Sequence, residues 1–289
     1  MKKLTCFLIC ALLVCSLAAC GQTGAEPAPA LQAGFGRVDI SPTLSVPLSG
    51  YGNTISRMSQ GCLDPLYATC VAITDGQDNT VLLITTDMIG IWDYLTAEIR
   101  QLINRSTGVP MEHIMIAGTH THSAPDITSS YDSHMTTYKL QYKLGILKAA
   151  EEAMADRSAV TMEAGSTRVE GMNFVRHYLM NDGSYFGDNF GSIKSGIKDH
   201  ASEADSQMQL LRLRRAEEGR KDILLINWQG HPKMASTAET EAGKATRPMV
   251  SADYIGALRM TLEQREPVET AFFLGMLILN RTPMRYPKP

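Results

Sequence analysis

The sequence predicts a mixed α/β fold, with largely antiparallel β-sheets flanked by helices. Residues 68–75 and 80–87 are apolar runs joined by Gly76-Gln77-Asp78-Asn79, a strong turn signal, so they read as an antiparallel hairpin. Residues 138–156 carry apolar side chains at helical spacing. Elsewhere strands and helices alternate too irregularly for a doubly wound nucleotide fold, and no Gly-rich phosphate loop is present.

The chain opens with Lys2 and Lys3, an uncharged apolar stretch from Phe7 to Leu17, and Leu17-Ala18-Ala19-Cys20-Gly21. Residues 1–19 therefore read as a secretory signal, and the cysteine after the small residues resembles a bacterial lipobox. A lipidated Cys20 would tether the mature chain to the outer face of the bacterial cell membrane. The alternative is an uncleaved anchor helix, for which the apolar stretch falls short of the ~20 residues that a span needs. Residues 20–32, rich in Ala, Pro and Gly, read as a flexible tether, and residues 33–274 as one catalytic-size domain. Net charge is −3, which points away from nucleic acid. Four of the six cysteines lie within residues 1–20; Cys62 and Cys70 remain, and an exported protein permits either a disulfide or two free thiols there.

Within the domain, Val81-Leu82-Leu83-Ile84 is continuous rather than alternating, which suggests burial on both faces. Residues 91–104 read as a helix stopped by Gly108-Val109-Pro110, and residues 113–118 as a strand. The helix at 138–156 has Leu140, Leu144, Leu147, Ala150 and Met154 on one stripe. Strands are expected at 159–169 and 207–214, and a long polar loop at 183–206 of the kind that covers sites. A buried strand at 222–228 empties into Gln229-Gly230-His231-Pro232, and residues 252–264 read as a helix.

The chemistry gathers at strand ends. His120 and His122 stand one residue apart after the apolar segment 114–117, so an extended backbone would present both imidazoles on one face. His231 follows the second apolar strand. Neutral imidazole is the commonest side-chain metal ligand, and zinc suits imidazole nitrogen in an exported protein. Taken singly, each histidine also fits a structural role, as a turn residue or a satisfied core group.

At these residues the chain resembles the neutral/alkaline non-lysosomal ceramidase family. The matching pieces are Ala33-Gly34-Phe35-Gly36-Arg37-Val38-Asp39-Ile40-Ser41-Pro42, Thr86-Asp87, Gly118-Thr119-His120-Thr121-His122-Ser123-Ala124-Pro125, Asn173-Phe174-Val175-Arg176 and Asn227-Trp228-Gln229-Gly230-His231-Pro232. The resemblance covers nearly all of the mature chain but only the amino-terminal part of a family catalytic domain. It implies zinc held by His120 and His231, with His122 serving the substrate carbonyl or a proton transfer. It also implies that Arg176 stabilises the developing oxyanion, a task for a permanently charged planar fork; an ordinary ion pair is the alternative for that residue. Asp87 would orient a ligand imidazole or cap its strand. The implied reaction is hydrolysis of an N-acyl amide, with ceramide cleaved to a sphingoid base and a fatty acid in the family.

Two histidines are one ligand short of the three that catalytic zinc usually takes from protein. The family's further ligands, a Glu and a Tyr, come from sequence well beyond the second histidine motif, and Asp126, Glu239 and Glu241 are local substitutes without a spacing argument. Residues 275–289 depart from the family pattern and read as an aberrant tail; suitable codons read one nucleotide out of register give a more family-like continuation, so a frameshift is expected there. On this reading the chain is an impaired zinc-dependent amidohydrolase, or else a non-catalytic surface lipoprotein that binds a lipid or amide.

Overall fold

The computed structural model describes residues 31–51, 57–129, 133–187, 196–235 and 248–275. The expected signal, Cys20 and most of the tether lie outside those residues, as do Glu239, Glu241 and the tail beyond Gly275.

Strands β1 (Gln32–Asp39), β2 (Tyr67–Thr74) and β3 (Thr80–Thr86) are antiparallel neighbours. Helix α1 (Asp93–Thr107) follows, then β4 (Ile114–Gly118), which adds parallel to β3. Next come helix α2 (Ser133–Ala155), strand β5 (Ser158–Arg168) and three short strands, β6 (His177–Met180), β7 (Tyr185–Gly187) and β8 (Ile197–His200). The chain then forms β9 (Gln207–Arg215), β10 (Asp222–Trp228), α3 (Tyr254–Arg265) and β11 (Val268–Leu274). Eight strands make one sheet in the order β11-β10-β9-β5-β1-β2-β3-β4. All its pairings are antiparallel except β3–β4 and β10–β11. The expected fold class is the observed one.

The sheet has two halves, and their backbones meet in a short ladder. Between β1 and β5 the register holds only Gln32↔Ala159 and Ala33↔Ser158. Arg215 reinforces that joint, donating to the carbonyls of Ala33 (3.3 Å) and Asp156 (3.1 Å) and to Ser158 Oγ (3.0 Å). Ala33, Phe35 and Val71 of one half share an apolar cluster with Leu213, Ile223, Leu225 and Ala271 of the other. Period-two alternation explains the division of β10: Ile223 and Leu225 enter that cluster, while Ile226 and Trp228 pack with Ile255 of α3 and Phe272.

The β2–β3 hairpin forms because Asp75 organises its turn. The Asp75 N–H donates to the Asn79 carbonyl (3.0 Å), its Oδ1 accepts from the N–H groups of Gln77 and Asn79, and Asp78 takes φ 66°. Helix α1 buries Leu95, Ile99 and Ile103 and ends at Gly108, whose φ of 77° lets its N–H reach the Asn104 carbonyl.

Helix α2 keeps part of the expected stripe and corrects the rest: Ala150 is buried, Leu147 and Met154 pack partly buried against the core, and two leucines face outward. Leu140 and Leu144 are 54% and 50% exposed, and the buried face is Met135, Tyr138, Tyr142, Gly145, Ile146, Ala149, Ala150 and Ala153. The physical reason is close approach rather than hydrophobicity. A Cβ on Gly34 would lie 2.0 Å from the Ala153 carbonyl, and one on Gly36 2.1 Å from that of Ala149, so helix backbone rests directly on β1. At those two contacts only alanines sit on the helix, while Tyr138, Tyr142 and Ile146 fill the wider space along the same face.

The stretch read as a polar loop at 183–206 contains β7 and β8, which pair with β6 in a separate three-stranded sheet. The Asp182-Gly183 pair marks the hairpin turn, but the exposed strands around it lack a one-sided apolar pattern. Cys62 is exposed and Cys70 is buried, and both are free.

Candidate metal centre

β4 and β10 each lie beside a parallel neighbour and deliver histidine loops from their carboxyl ends. β4 stops at Gly118, where a Cβ would sit 2.8 Å from the Met88 carbonyl and 2.9 Å from Gly90 Cα. The chain does not stay extended through the histidine pair as expected. His120 has φ 69°, a left-handed conformation uncommon for a side chain of this size, and its N–H donates to the Met88 carbonyl at 2.8 Å. The turn still brings the His120 and His122 rings together, with centroids 5.1 Å apart.

Nδ1 of His120 lies 2.7 Å from the carbonyl oxygen of Ile89. A carbonyl only accepts, so the proton is on Nδ1 and Nε2 keeps its lone pair. A carbonyl held on Nδ1 in this way fixes the ring so that Nε2 can face a metal ion. Asp87 does not fill that role. It is fully buried, its carboxylate takes a two-pronged bond from Arg259 (3.0 and 2.6 Å), and it accepts the N–H of Tyr67 at 2.9 Å.

His231 enters from the loop after β10. Its Nε2 lies 2.9 Å from Nε2 of His122, and its ring stacks on His120 with centroids 5.0 Å apart. The nitrogens of His120, His122 and His231 all lie within 4.8 Å of one another. Among the described residues this is the only such group of histidine, cysteine and acidic side chains. Asp126 stands apart, holding the N–H and hydroxyl of Thr128.

All three imidazoles are held neutral. Burial lowers the pKa of His120, pushes His122 down to about 4 with help from His120, and pushes His231 down to about 3 with the charge of Arg176 added. The charge of Arg176 adds to the lowering at all three. Three neutral nitrogens, one with its second nitrogen anchored, form a donor set suited to a divalent cation.

Further residues frame the site that sequence reading missed. Arg57 donates to the carbonyls of Ser49 (2.6 Å) and His122 (3.2 Å) and lies over the Tyr51 ring, which meets the His122 ring edge-on. Lys233 Nζ lies 4.9 Å from the Tyr51 ring centre. Gly50, at φ 108°, leaves room for His122 that any side chain would occupy. Gly230 is equally constrained, since a Cβ there would lie 2.2 Å from the Trp228 ring. The glycines were visible in sequence; Arg57 and Tyr51 carried no signal, because nothing local tied them to residue 122.

A family model described as neutral/alkaline non-lysosomal ceramidase, N-terminal, matches residues 31–272. Comparison with curated proteins returned no match. Among solved structures the chain is similar to a ceramidase complexed with C2, at 20% identity and a TM-score of 0.63, over 85% of this chain and 37% of that one. It is also similar to the neutral ceramidase from Pseudomonas aeruginosa, at 20% identity and a TM-score of 0.61, over 86% of this chain and 39% of that one. These likenesses are of fold, and the chain spans under two fifths of either solved protein.

Proposed function

Because the chain belongs to the neutral/alkaline non-lysosomal ceramidase family, we propose that it is a zinc-dependent hydrolase of N-acyl amide bonds, with a ceramide-like lipid amide as substrate. The single observation that carries this reading is the convergence of three neutral imidazoles, one of them oriented through the Ile89 carbonyl. His120 and His231 hold the metal. Zinc, when bound, polarises an amide carbonyl and lowers the pKa of a bound water toward ~7.

The chain's own groups do the rest. His122, neutral at working pH and edge-on to His231, would face the reacting carbonyl, accept a proton from the attacking water and pass it to the leaving amine as the C–N bond breaks. Arg176 offers fixed positive charge where the amide oxygen becomes an oxyanion. Residues 2–21 place the protein, through a lipidated Cys20, at the extracytoplasmic membrane surface, beside lipid substrates.

Zinc content of the purified chain and of His120→Ala, His231→Ala and His122→Ala tests the assignment, alongside release of fatty acid from a short-chain N-acyl sphingosine. The expected result is loss of zinc in the first two variants, and retained zinc with turnover at least 100-fold lower in the third. A zinc-free wild-type chain would overturn the reading, and loss of zinc in His122→Ala would make His122 a third ligand.

A further inference from the structure

Both histidine loops are gripped by one short segment, Ser251-Ala252-Asp253-Tyr254, which lies outside every motif singled out in the sequence. We infer that this segment is a positioning device that sets the distance between His122 and His231. The inference rests on the metal-site reading for its purpose, but not for its geometry.

Ser251 holds the His122 loop from both sides of the histidine. Its carbonyl accepts the Thr121 hydroxyl at 2.8 Å, and its N–H donates to the Ser123 carbonyl at 3.0 Å. The two following residues hold the His231 loop. Asp253 Oδ2 accepts the N–H of Ala235 at 2.7 Å, and the Tyr254 hydroxyl donates to the carbonyl of Gly230, the residue before His231, at 2.6 Å. The loops also meet directly, the His122 N–H donating to the Pro232 carbonyl at 3.3 Å.

The segment is itself fixed from below. Asp64 accepts the Ser251 hydroxyl and the Ala252 N–H, and Ser251 Oγ accepts the Asp253 N–H at 2.9 Å. Gly256, one turn into α3, must be glycine to admit Asp64, because a Cβ there would lie 2.6 Å from Oδ1. Tyr254 is wedged edge-on between Trp228 and Phe272. These contacts hold Asp253 at φ 61°, ψ −153°, a region that is essentially glycine's alone. Strain of that kind persists only where the surroundings over-determine it. Here the strained residue is the one whose carboxylate reaches the His231 loop.

Asp253→Gly separates positioning from general stability, because glycine relieves the strained backbone while removing the carboxylate. Tyr254→Phe removes one hydroxyl and keeps the ring. The measurements are thermal unfolding, hydrogen exchange of the metal-free chain, and zinc affinity. In both variants we expect amides of residues 119–123 and 230–235 to exchange at least tenfold faster, with the ladder amides of β2 and β3 unchanged. Zinc affinity falls tenfold or more, while the unfolding midpoint of Asp253→Gly is retained or raised. Wild-type exchange and zinc affinity in both variants would overturn the inference, as would loss of affinity only in step with loss of stability. Faster exchange at the two loops in a protein whose wild type takes no zinc would uphold the positioning role and sink the metal reading instead.

Discussion

The two halves of the large sheet deliver the same kind of group by different physics. Strands β1–β4 are backed by α1 and α2 through a continuous apolar core, with Ile40, Leu66, Ile84, Ile99 and Tyr142 fully buried. Strands β5, β9, β10 and β11 have thinner apolar support and are laced with charge, including Arg212–Asp222, Arg214–Glu163 and Arg215–Asp156. His120 and His122 thus rise from a platform located by packing, which is non-directional and dense. His231 rises from one where smaller apolar clusters are supplemented by hydrogen bonds and ion pairs, which are directional and sparse. Packing fixes where a strand ends; polar bonds fix where its loop points.

The sharpest way to break this contrast is at the contact where charge joins the halves. Arg259, on α3, and Asp87, at the end of β3, are 3% and 0% exposed and bonded at 2.6 and 3.0 Å. Arg259→Met leaves a carboxylate buried without its partner and should destabilise the protein by about 3–5 kcal/mol in urea unfolding. A loss below about 1 kcal/mol would show that the pair is not what joins the halves there.

The packed half makes the opposite demand. Gly36→Ala forces a methyl against the Ala149 carbonyl and should cost about 1–3 kcal/mol. Leu144→Ser, on the exposed face of α2, should change stability by less than about 0.5 kcal/mol. The reverse ranking would restore the leucine stripe as the buried face.

A pH dependence arises where the two histidine loops meet. In the unfolded chain His122 and His231 titrate near ~6.5, whereas in the fold their values fall to about 4 and about 3. The unfolded state therefore binds more protons in between, so this contribution to stability is complete above the unfolded value and drains away as pH falls through the folded ones. Melting of the metal-free protein should drop more steeply between pH 7 and pH 4 in the wild type than in a His122→Ala/His231→Ala variant. Parallel profiles would refute the assignment of those low values.

Local signals were legible in sequence and long-range ones were not. The hairpin of β2 and β3 could be read because Asp75, Asp78 and Asn79 carry their own turn chemistry. Strand β10 followed from its apolar run, and strands were also expected where β5 and β9 lie. The face of α2 was misread because Gly34 and Gly36 select it from another element, and β6–β8 were missed because exposed strands lack an apolar face. The histidines could be named from their motifs, yet the left-handed turn at His120 and the hold of Ile89 on its ring depend on a loop some thirty residues away. Ser251 acts on Thr121, 130 positions distant, and Asp253 and Tyr254 act on a loop 18 and 24 positions away through a backbone strain that leaves no trace in composition, so only the assembled fold shows them.

The short ladder between β1 and β5 has a mechanical consequence. It lies beside the β2–β3 turn, while the histidine loops sit at the other end of the strands, about six residues or ~20 Å along. Were the two halves to turn about that backbone joint, the site would lie at the tip of the lever. A rotation of about 5° there would sweep the loops apart by about 2 Å, roughly ten times the ±0.2 Å tolerance of a coordination sphere. Such a parting would break the bonds of Ser251, Asp253 and Tyr254 to the two loops, so those bonds are what hold the lever still.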